Sequence, residues 1–527
     1  MKKILSSLTF VVLWVLLMPL AAGQHAPIGS DDIVILYEND VHGSIEGYPL
    51  LASLRDEMKA LTPNVSVVSC GDFLSGTSLG SASRGRYLVR LMNAVGYDYV
   101  TLGNHEFDFG IDTLSQRMAE LSATVLCGNF ANAGDSLSHY QGYAIHRYGY
   151  VSVAFVGATT PTVPTSSTPI FFQDSAGQWL YTFYPHNLDS VVQRYVDAAR
   201  LEGADYVVLL SHLGDNDLPP LVAATRGIDV VLDGHSHSVI PHTLLRNRDG
   251  KEVLWTSTGS NFRHIGLLHI HHNGTPQSTL LRTDSIPPAS NAVADTLSAI
   301  RQAYAAIGQR KVGYSRVDLW RKWREGDYID APLGNFFCDA FRVLTGAEIA
   351  LMNAGGIRND IHRGNLVFDD LYSAAPFDNQ LCLVEISGQS LLDGLELGCR
   401  NISKVGGGFL YVSGLIYEID TLQPSTVVCD ENGVLLRVEG ERRVRNVRVW
   451  DVQRQQYLPL DPERIYRVAG CDYTLLKHGD GHNFPDVRII RPSVCPYVEA
   501  LEAYLKQNLG GTIGDPYSVP QGRIVLR

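Results

Sequence analysis

Residues 33–43 have the sequence Ile-Val-Ile-Leu-Tyr-Glu-Asn-Asp-Val-His-Gly. The apolar, β-branched run at the start is typical of a buried strand, and the aspartate and histidine that follow belong to the loop at its carboxyl end. Open α/β sheets place their ligand sites at such ends. The stretch therefore predicts an α/β fold whose site is built from loops that follow strands.

Polar loops of the same kind recur along the first half of the chain, most of them after an apolar run. These loops are Cys-Gly-Asp at 70–72, Gly-Asn-His-Glu-Phe-Asp at 103–108, Ser-His at 211–212 and Asp-Gly-His-Ser-His at 233–237. The segment at 103–108 is the most specific, because a helix cap needs asparagine or aspartate but does not need a histidine beside it. Five such loops in one chain indicate a shared site.

The residue types in these loops indicate metal chemistry. Carboxylate, imidazole and amide oxygen are ligands for borderline-hard divalent cations such as zinc or manganese. Two such ions about 3.5–4 Å apart promote displacement at phosphorus and activate a bridging water. One carboxylate must then bridge the ions, and we assign that part to Asp72. The sequence therefore predicts a two-metal hydrolase.

These segments resemble the metallophosphoesterase half of the 5'-nucleotidase family, which includes periplasmic UDP-sugar hydrolases and ecto-5'-nucleotidase. The resemblance implies an α/β protein with an N-terminal four-layer β-sandwich flanked by helices. It also implies two divalent metal ions, with zinc expected first and manganese, calcium or cobalt as alternatives. The implied ligands are Asp40, His42, Asp72 and His237 for one ion, and Asp72, Asn104, His212 and His235 for the other.

His105 and Asp108 match the catalytic dyad of the family. An imidazolium beside the metals can stabilise negative charge on the transferring phosphoryl group or on the leaving oxygen. Asp108, three residues further on, can orient the ring and favour its charged form. Glu106 lies between them and receives no role at this point.

The second half of the chain contains motifs that resemble the family's nucleotide-binding C-terminal domain. Residues 353–358 read Asn-Ala-Gly-Gly-Ile-Arg, and Phe377 follows in Ala-Ala-Pro-Phe-Asp-Asn. The resemblance implies that Asn353, Arg358 and Phe377 contact substrate. Arg358 can bind phosphate or carboxylate oxygens, and the face of Phe377 can stack on a base.

Two recognition segments depart from the family pattern. Residues 477–482 read Lys-His-Gly-Asp-Gly-His, so that Asp480 matches the motif but His482 stands where a second stacking ring is usual, with Phe484 as an alternative. The arginines nearest to the expected phosphate-contact positions are Arg321 and Arg324. They either contact the phosphate of the substrate or belong to a solvent-exposed basic face, and the sequence favours neither alternative.

The chain of 527 residues is too long for one hydrophobic core. We expect a signal peptide at 1–23, a metallophosphoesterase domain at 30–285, a linking helix at 286–310 and a smaller α/β C-terminal substrate-binding domain at 311–527. The first residues combine two lysines, an apolar run and small residues, which is the order of a secretory leader. Export to the periplasm is expected first, and an extracellular or cell-surface location second.

Composition limits the partners. A formal net charge of −12 argues against a nucleic-acid-binding surface. After the leader, the sequence contains no apolar run long enough to span a membrane, so we expect no stable membrane anchor. The eight cysteines are irregularly spaced, so the sequence leaves the disulfide pattern open, as it does the oligomeric state.

The combined interpretation is a secreted, metal-dependent nucleotide phosphohydrolase that releases phosphate from nucleoside 5'-phosphates with metal-activated hydroxide as nucleophile. Alternatives within the enzymes are a 2',3'-cyclic nucleotide phosphodiesterase with 3'-nucleotidase activity, or a UDP-sugar hydrolase. An alternative of another class is a non-catalytic ligand-binding or adhesion protein on the same fold.

Overall fold

The computed structural model describes residues 27–527 apart from 136, 168, 175–176, 272–273, 323–328 and 402–405. The expected signal peptide at 1–23 lies outside the described residues, and so does Arg324. None of the helices in the described part combines the length and the apolar character that crossing a bilayer requires.

Two six-stranded sheets form the N-terminal half. Their strand orders are β14-β13-β1-β2-β3-β4 and β11-β12-β10-β9-β7-β6. The strands are β1 Ile33–Glu38, β2 Val65–Ser69, β3 Tyr99–Val100, β4 Thr124–Val125, β5 Ala131–Asn132, β6 Tyr143–Tyr148, β7 Val151–Thr159, β8 Tyr181–Thr182, β9 Tyr206–His212, β10 Val230–Leu232, β11 Val239–Arg246, β12 Glu252–Thr258, β13 His264–Ile270 and β14 Gln277–Arg282.

The two sheets pack face to face between layers of helices. Strand β1 is buried on both sides: Ile33, Ile35 and Tyr37 face the core between the sheets, whereas Val34 and Leu36 pack in the cluster formed with the outer helices. The helices of this half are α1 Gly47–Leu61, α2 Ser78–Ala82, α3 Arg86–Val95, α4 Ile111–Glu120, α5 Val163–Ser166, α6 Leu188–Leu201 and α7 Gly214–Ala224. This arrangement confirms the predicted four-layer fold.

Helix α8, Ala292–Gly308, leads from the first half to the second. Its side chains Val293, Leu297 and Ile300 pack into the same cluster as the outer helices of the first half. The Tyr304 hydroxyl donates to Asp369 Oδ1 of the second half at 3.1 Å. The helix thus contacts both halves. The domain boundaries themselves stay a prediction.

The C-terminal half is built around a five-stranded mixed sheet of order β19-β16-β25-β18-β26. Its strands are β15 Lys311–Ser315, β16 Ile349–Asn353, β17 Gly364–Val367, β18 Gln380–Ser387, β19 Leu410–Ser413, β20 Leu415–Ile419, β21 Val427–Cys429, β22 Leu435–Val438, β23 Val444–Asp451, β24 Gln456–Pro459, β25 Ile465–Cys471, β26 Arg488–Pro496, β27 Thr512–Ile513 and β28 Ile524–Leu526. Its helices are α9 Pro332–Thr345, α10 Phe368–Ala374, α11 Gly388–Gly398, α12 Asp472–Leu475 and α13 Tyr497–Gln507. One hydrophobic core joins the sheet to α9 and α13.

The buried Tyr37 hydroxyl joins the two N-terminal sheets, since it bonds to Thr256 Oγ1 at 2.6 Å and to Ser278 Oγ at 2.7 Å. Tyr37→Phe should lower the free energy of unfolding by about 1–2 kcal/mol, because these bonds are lost in a buried place. Urea unfolding measures the change. Tyr150→Phe is the matched control, because Tyr150 is fully exposed; equal stability of the two variants would contradict the prediction.

Candidate active site

The predicted metal-binding side chains converge at one edge of the two sheets. Asp40 and His42 follow β1, Asp72 follows β2 and Asn104 follows β3, while His212 ends β9 and His235 and His237 follow β10. The parallel strands β1, β2 and β3 of one sheet, and β9 and β10 of the other, end at this edge. The tertiary structure therefore brings together residues that are separated by up to 197 positions in the chain.

Asp72 lies at the centre of the group. Its Oδ2 atom is 3.2 Å from His212 Nε2 and 3.7 Å from His42 Nε2. Its Oδ1 atom accepts the backbone N–H of His105 at 2.8 Å. Asp72 thus lies between imidazoles from both sheets, a central position that suits a bridging carboxylate.

Two further groups stand on either side of Asp72. On one side, Asp40 Oδ1 lies 3.8 Å from His42 Nε2 and 3.5 Å from His237 Nε2, and the two imidazole Nε2 atoms are 2.8 Å apart. On the other side, His235 Nδ1 is 3.0 Å from Asn104 Oδ1. All of the predicted ligands therefore lie in one cluster.

Neighbouring groups orient these side chains. His212 Nδ1 donates to the Cys70 carbonyl at 2.7 Å, which directs Nε2 towards the cluster. Asp40 Oδ2 accepts from Asn39 Nδ2 at 2.7 Å and from the His235 N–H at 2.9 Å, which leaves Oδ1 facing the histidines. This is the arrangement in which imidazole and carboxylate present lone pairs to a cation.

The donor set fits divalent cations. Among the described residues, Asp40 Oδ1 and His212 Nε2 are buried and have no hydrogen-bond partner. Burial lowers the pKa of His235 to about 4 and the pKa of His237 to about 3, so both rings are neutral, as ligation requires. Burial alone would lower the pKa of His212, but Asp72 and Asp40 raise it to about 10, so this position attracts positive charge.

The backbone around the cluster is held in an unfavourable conformation. Asp40, His42, Asp72, His235 and His237 all have positive φ angles, between 46° and 78°. Such conformations are costly for residues with a side chain and are concentrated at functional sites. The strain indicates that the loops are shaped for the cluster they carry.

Glycines permit the close approach of these loops. Gly71 has a φ of +88°, and a Cβ atom there would lie 2.4 Å from the Gly103 nitrogen. A Cβ atom at Gly103 would lie 2.2 Å from Asp72 Oδ1. Larger residues at either position would push Asp72 away from its neighbours.

His105 and Asp108 form a hydrogen-bonded pair beside the cluster. His105 Nδ1 lies 2.9 Å from Asp108 Oδ2, which also accepts from Ser75 Oγ at 2.6 Å. Burial alone would lower the pKa of His105, but the carboxylates of Asp108 and Asp72 raise it above its usual value. The pair therefore favours an imidazolium whose Nε2 is left for another partner.

Glu106 is a residue whose part the sequence did not reveal. Its buried carboxylate accepts four backbone N–H groups, those of Asp72 at 2.7 Å, Phe73 at 2.7 Å, Leu74 at 3.1 Å and Gly103 at 2.6 Å. It thereby joins the loops that carry Asp72, Asn104 and His105. Its place between Asn104 and Asp108 was the available signal, but only the fold shows which N–H groups surround it.

A cavity of about 450 Å³ opens between the two halves at this cluster. Side chains from the first half that line it include Asp72, Asn104, His105, Asp108, Phe171, His235 and His237. Side chains from the second half that line it include Asn353, Arg358, Phe377, Tyr473, Lys477 and Asp480. Phe171, Tyr473 and Lys477 were not among the predicted site residues: no motif marks Phe171 or Tyr473, and Lys477 belongs to the 477–482 segment but received no role.

The cavity places the predicted substrate contacts beside the dyad. The Phe377 ring lies nearly parallel to the His105 ring, with centroids 5.8 Å apart, and the Arg358 guanidinium is 5.5 Å from the Phe377 centroid. Asn353 Nδ2 donates to Asp480 Oδ2 at 2.9 Å. The second half thus presents a cation and an aromatic face to the metal-binding cluster.

His482, a predicted substrate contact, does not reach the cavity. Its ring is completely buried, Nε2 lies 2.8 Å from the Gly408 carbonyl, and Phe484 stacks on its other side in the core. Neither ring lines the cavity. Arg321 does not line it either, and its backbone N–H donates to Asp360 at 2.7 Å.

Comparison with known proteins agrees with this architecture. A family profile described as "5'-nucleotidase, C-terminal domain" matches residues 307–487, and one described as "Bacterial capsule synthesis protein PGA_cap" matches residues 66–255. A 5'-nucleotidase from Diplobatis ommata is 24% identical over 571 residues, which cover 97% of this chain and 92% of that protein. The chain is thus similar to 5'-nucleotidases over nearly its whole length.

Two further comparisons give the same likeness. The crystal structure of a 5'-nucleotidase precursor from Thermus thermophilus superposes with a TM-score of 0.80 at 25% identity, covering 94% of this chain and 99% of that chain. A trifunctional nucleotide phosphoesterase from Bacillus subtilis is 24% identical over 73% of this chain but only 29% of its own length. These relatives are phosphoesterases, and the chain is accordingly a hydrolase of the metallophosphoesterase class.

Glu106→Gln should weaken metal binding by about 10–100-fold, since an amide offers one acceptor oxygen where the carboxylate offers two to the N–H groups that hold the ligand loops. Titration with Zn²⁺ followed by elemental analysis measures the change. Glu396→Gln is the matched control, because buried Glu396 accepts the N–H groups of Arg443 and Val444 in the other half. Equal zinc affinity in the two variants would contradict the conclusion that Glu106 positions the loops that carry the metal ligands.

Proposed function

We propose that this protein is an exported, metal-dependent phosphohydrolase that converts nucleoside 5'-phosphates into nucleoside and phosphate. We call the seven predicted metal ligands the Asp72 cluster: Asp40, His42, Asp72, Asn104, His212, His235 and His237. The observation that carries the proposal is the shared cavity, in which this cluster and the His105–Asp108 pair face Arg358 and Phe377. The family relatives that are 5'-nucleotidases support the same substrate class. The expected leader supports export.

Two divalent cations fit the cluster, and zinc suits its mixture of imidazole and oxygen donors. Asp40, His42, Asp72 and His237 would hold one ion, and Asp72, Asn104, His212 and His235 would hold the other. When bound, such ions polarise phosphoryl oxygens and lower the pKa of water. The protein holds these donor atoms together at the buried edge of the two sheets, on loops whose backbone has positive φ angles.

Arg358 and Phe377 provide recognition of the nucleotide. The guanidinium of Arg358 can donate to phosphoryl oxygens, and it is directed to the cavity beside the Phe377 ring. The face of Phe377 can stack on a base. Since the chain carries a net charge of −12, an anionic group would be attracted by local cations, Arg358 and the metal ions, and not by a basic surface.

The His105–Asp108 pair stabilises charge during the reaction. Asp108 holds the proton on His105 Nδ1, so His105 Nε2–H is the group that donates to a phosphoryl or leaving oxygen. Ser75 in turn holds the Asp108 carboxylate in place. The carboxylates of Asp108 and Asp72 favour the charged, imidazolium form of His105.

His105→Ala should lower kcat for release of phosphate by about 10²–10⁴-fold, because the charge-stabilising donor is lost. A chelator should abolish activity, and added Zn²⁺ or Mn²⁺ should restore it. Colorimetric phosphate release measures both effects. An unchanged rate in the variant and in chelator would instead support a non-catalytic binding protein.

Phe377→Ala should raise KM for nucleoside 5'-phosphates about tenfold or more, because stacking of a base on an aromatic ring contributes about 1–3 kcal/mol. KM for a simple aryl phosphate is the internal control, since binding of the phosphoryl group does not use this ring. Steady-state kinetics on 5'-, 3'- and 2',3'-cyclic nucleotides and UDP-glucose measures both the effect and the preference. A preference for cyclic nucleotides or UDP-glucose would contradict the proposed 5'-nucleotidase activity. It would instead support the cyclic nucleotide phosphodiesterase or the UDP-sugar hydrolase.

A further inference from the structure

Two histidines and an aspartate meet at the end of the first sheet that is opposite the candidate active site. Asp32 precedes β1, while the Asp72 cluster lies beyond the other end of that strand, roughly 20 Å away by strand length. His269 lies in β13 and His271 directly follows it. None of the three belongs to the proposed nucleotidase site.

Strand pairing places the three side chains on one face. Strands β1 and β13 are antiparallel, with Ile33 opposite Ile270, so the register brings Asp32 opposite His271. His269 is two residues from His271, and alternate residues of a strand point to the same side. The arrangement follows from the sheet itself.

The donor atoms converge closely. His269 Nε2 lies 3.0 Å and His271 Nδ1 lies 3.1 Å from Asp32 Oδ2, and the ring centroids of the two histidines are 4.1 Å apart. The Gly29 N–H also donates to Asp32 Oδ2, at 2.8 Å. Three nitrogens, two of them imidazole, therefore surround one carboxylate oxygen at hydrogen-bond distance. The ligand atoms of Asp32, His269 and His271 all lie within 4.8 Å of one another, close enough to share one cation.

The surrounding structure holds these groups in place. His269 pairs with Val34 on one side and with Gln277 on the other, so its backbone is fixed within the sheet. The Asp32 carbonyl accepts from Thr62 Oγ1 at 2.7 Å. Asp32 and His269 are buried, whereas the His271 side chain is 30% exposed and offers a route for an ion.

We propose that Asp32, His269 and His271 form a metal site for a borderline divalent cation such as zinc, separate from the Asp72 cluster. Two imidazoles and one carboxylate are a donor set that Zn²⁺ binds, with water in the remaining position. The ion joins the start of β1 to the end of β13. Its part is to stabilise the sheet, because all three donors come from these two strands or their ends.

The test counts zinc in the full chain after removal of metal by chelator and equilibrium dialysis against Zn²⁺. Wild-type protein should retain one zinc ion more per chain than His271→Ala, while phosphate release is the same in both. His242→Ala is the matched control, because His242 is exposed on β11 and should leave the zinc content unchanged. Thermal unfolding with and without Zn²⁺ should show a smaller rise of Tm for His271→Ala than for the control.

Equal zinc content in wild type and His271→Ala would overturn the proposal and would identify the group as a hydrogen-bonded ion-pair cluster. Asp32→Asn provides a second variant, because its amide oxygen can still accept from Gly29 but carries no charge for a cation. Zinc content of Asp32→Asn equal to that of wild type would also overturn it. Loss of activity in chelator concerns the other site and is read separately.

Discussion

The accommodation of buried negative charge is the constraint on which the candidate site depends. Asp40, Asp72 and Glu106 are all buried at one edge of the sheets, and burial, with the Asp72 carboxylate beside it, raises the pKa of Asp40 to about 7. Buried carboxylates are stable only when they are paired. Backbone N–H groups pair with Glu106, and the histidine-lined space around Asp40 and Asp72 fits divalent cations. The positive φ angles and the close glycines follow from building that space.

The two halves divide the chemistry between them. The first half holds the metal-binding cluster on strand ends, which are rigid because each strand is paired within a sheet that is buried on both faces. The second half brings Arg358 and Phe377 to the open side of that cluster. Neither half alone contains both the candidate metal ligands and the surface formed by Arg358 and Phe377, so the cavity exists only where the two halves meet.

The side chains of the second half that line the cavity are not all those that the sequence motifs predict. His482 occupies a motif position for stacking, yet its ring lies between Gly408 and Phe484 in the core. Two of the side chains that do reach the cavity, Phe171 and Lys477, come from opposite halves, and Lys477 Nζ lies 5.7 Å from the Phe171 ring centroid. A motif therefore identifies a loop, but the packing behind the loop decides which side chain faces the substrate.

The sequence by itself determined the fold class, the family and the set of polar loops after strands, because apolar runs and the residue types that bind metal are local properties of the chain. It also identified the residues of the Asp72 cluster as candidates, since their types and order are specific in combination. Only the tertiary structure decided what depends on distant contacts: the four N–H groups around Glu106, the burial of His482, the cavity contacts of Phe171, and the meeting of Asp32 with His269 and His271. These depend on the register of strands and the docking of two halves, which no local pattern of residues encodes.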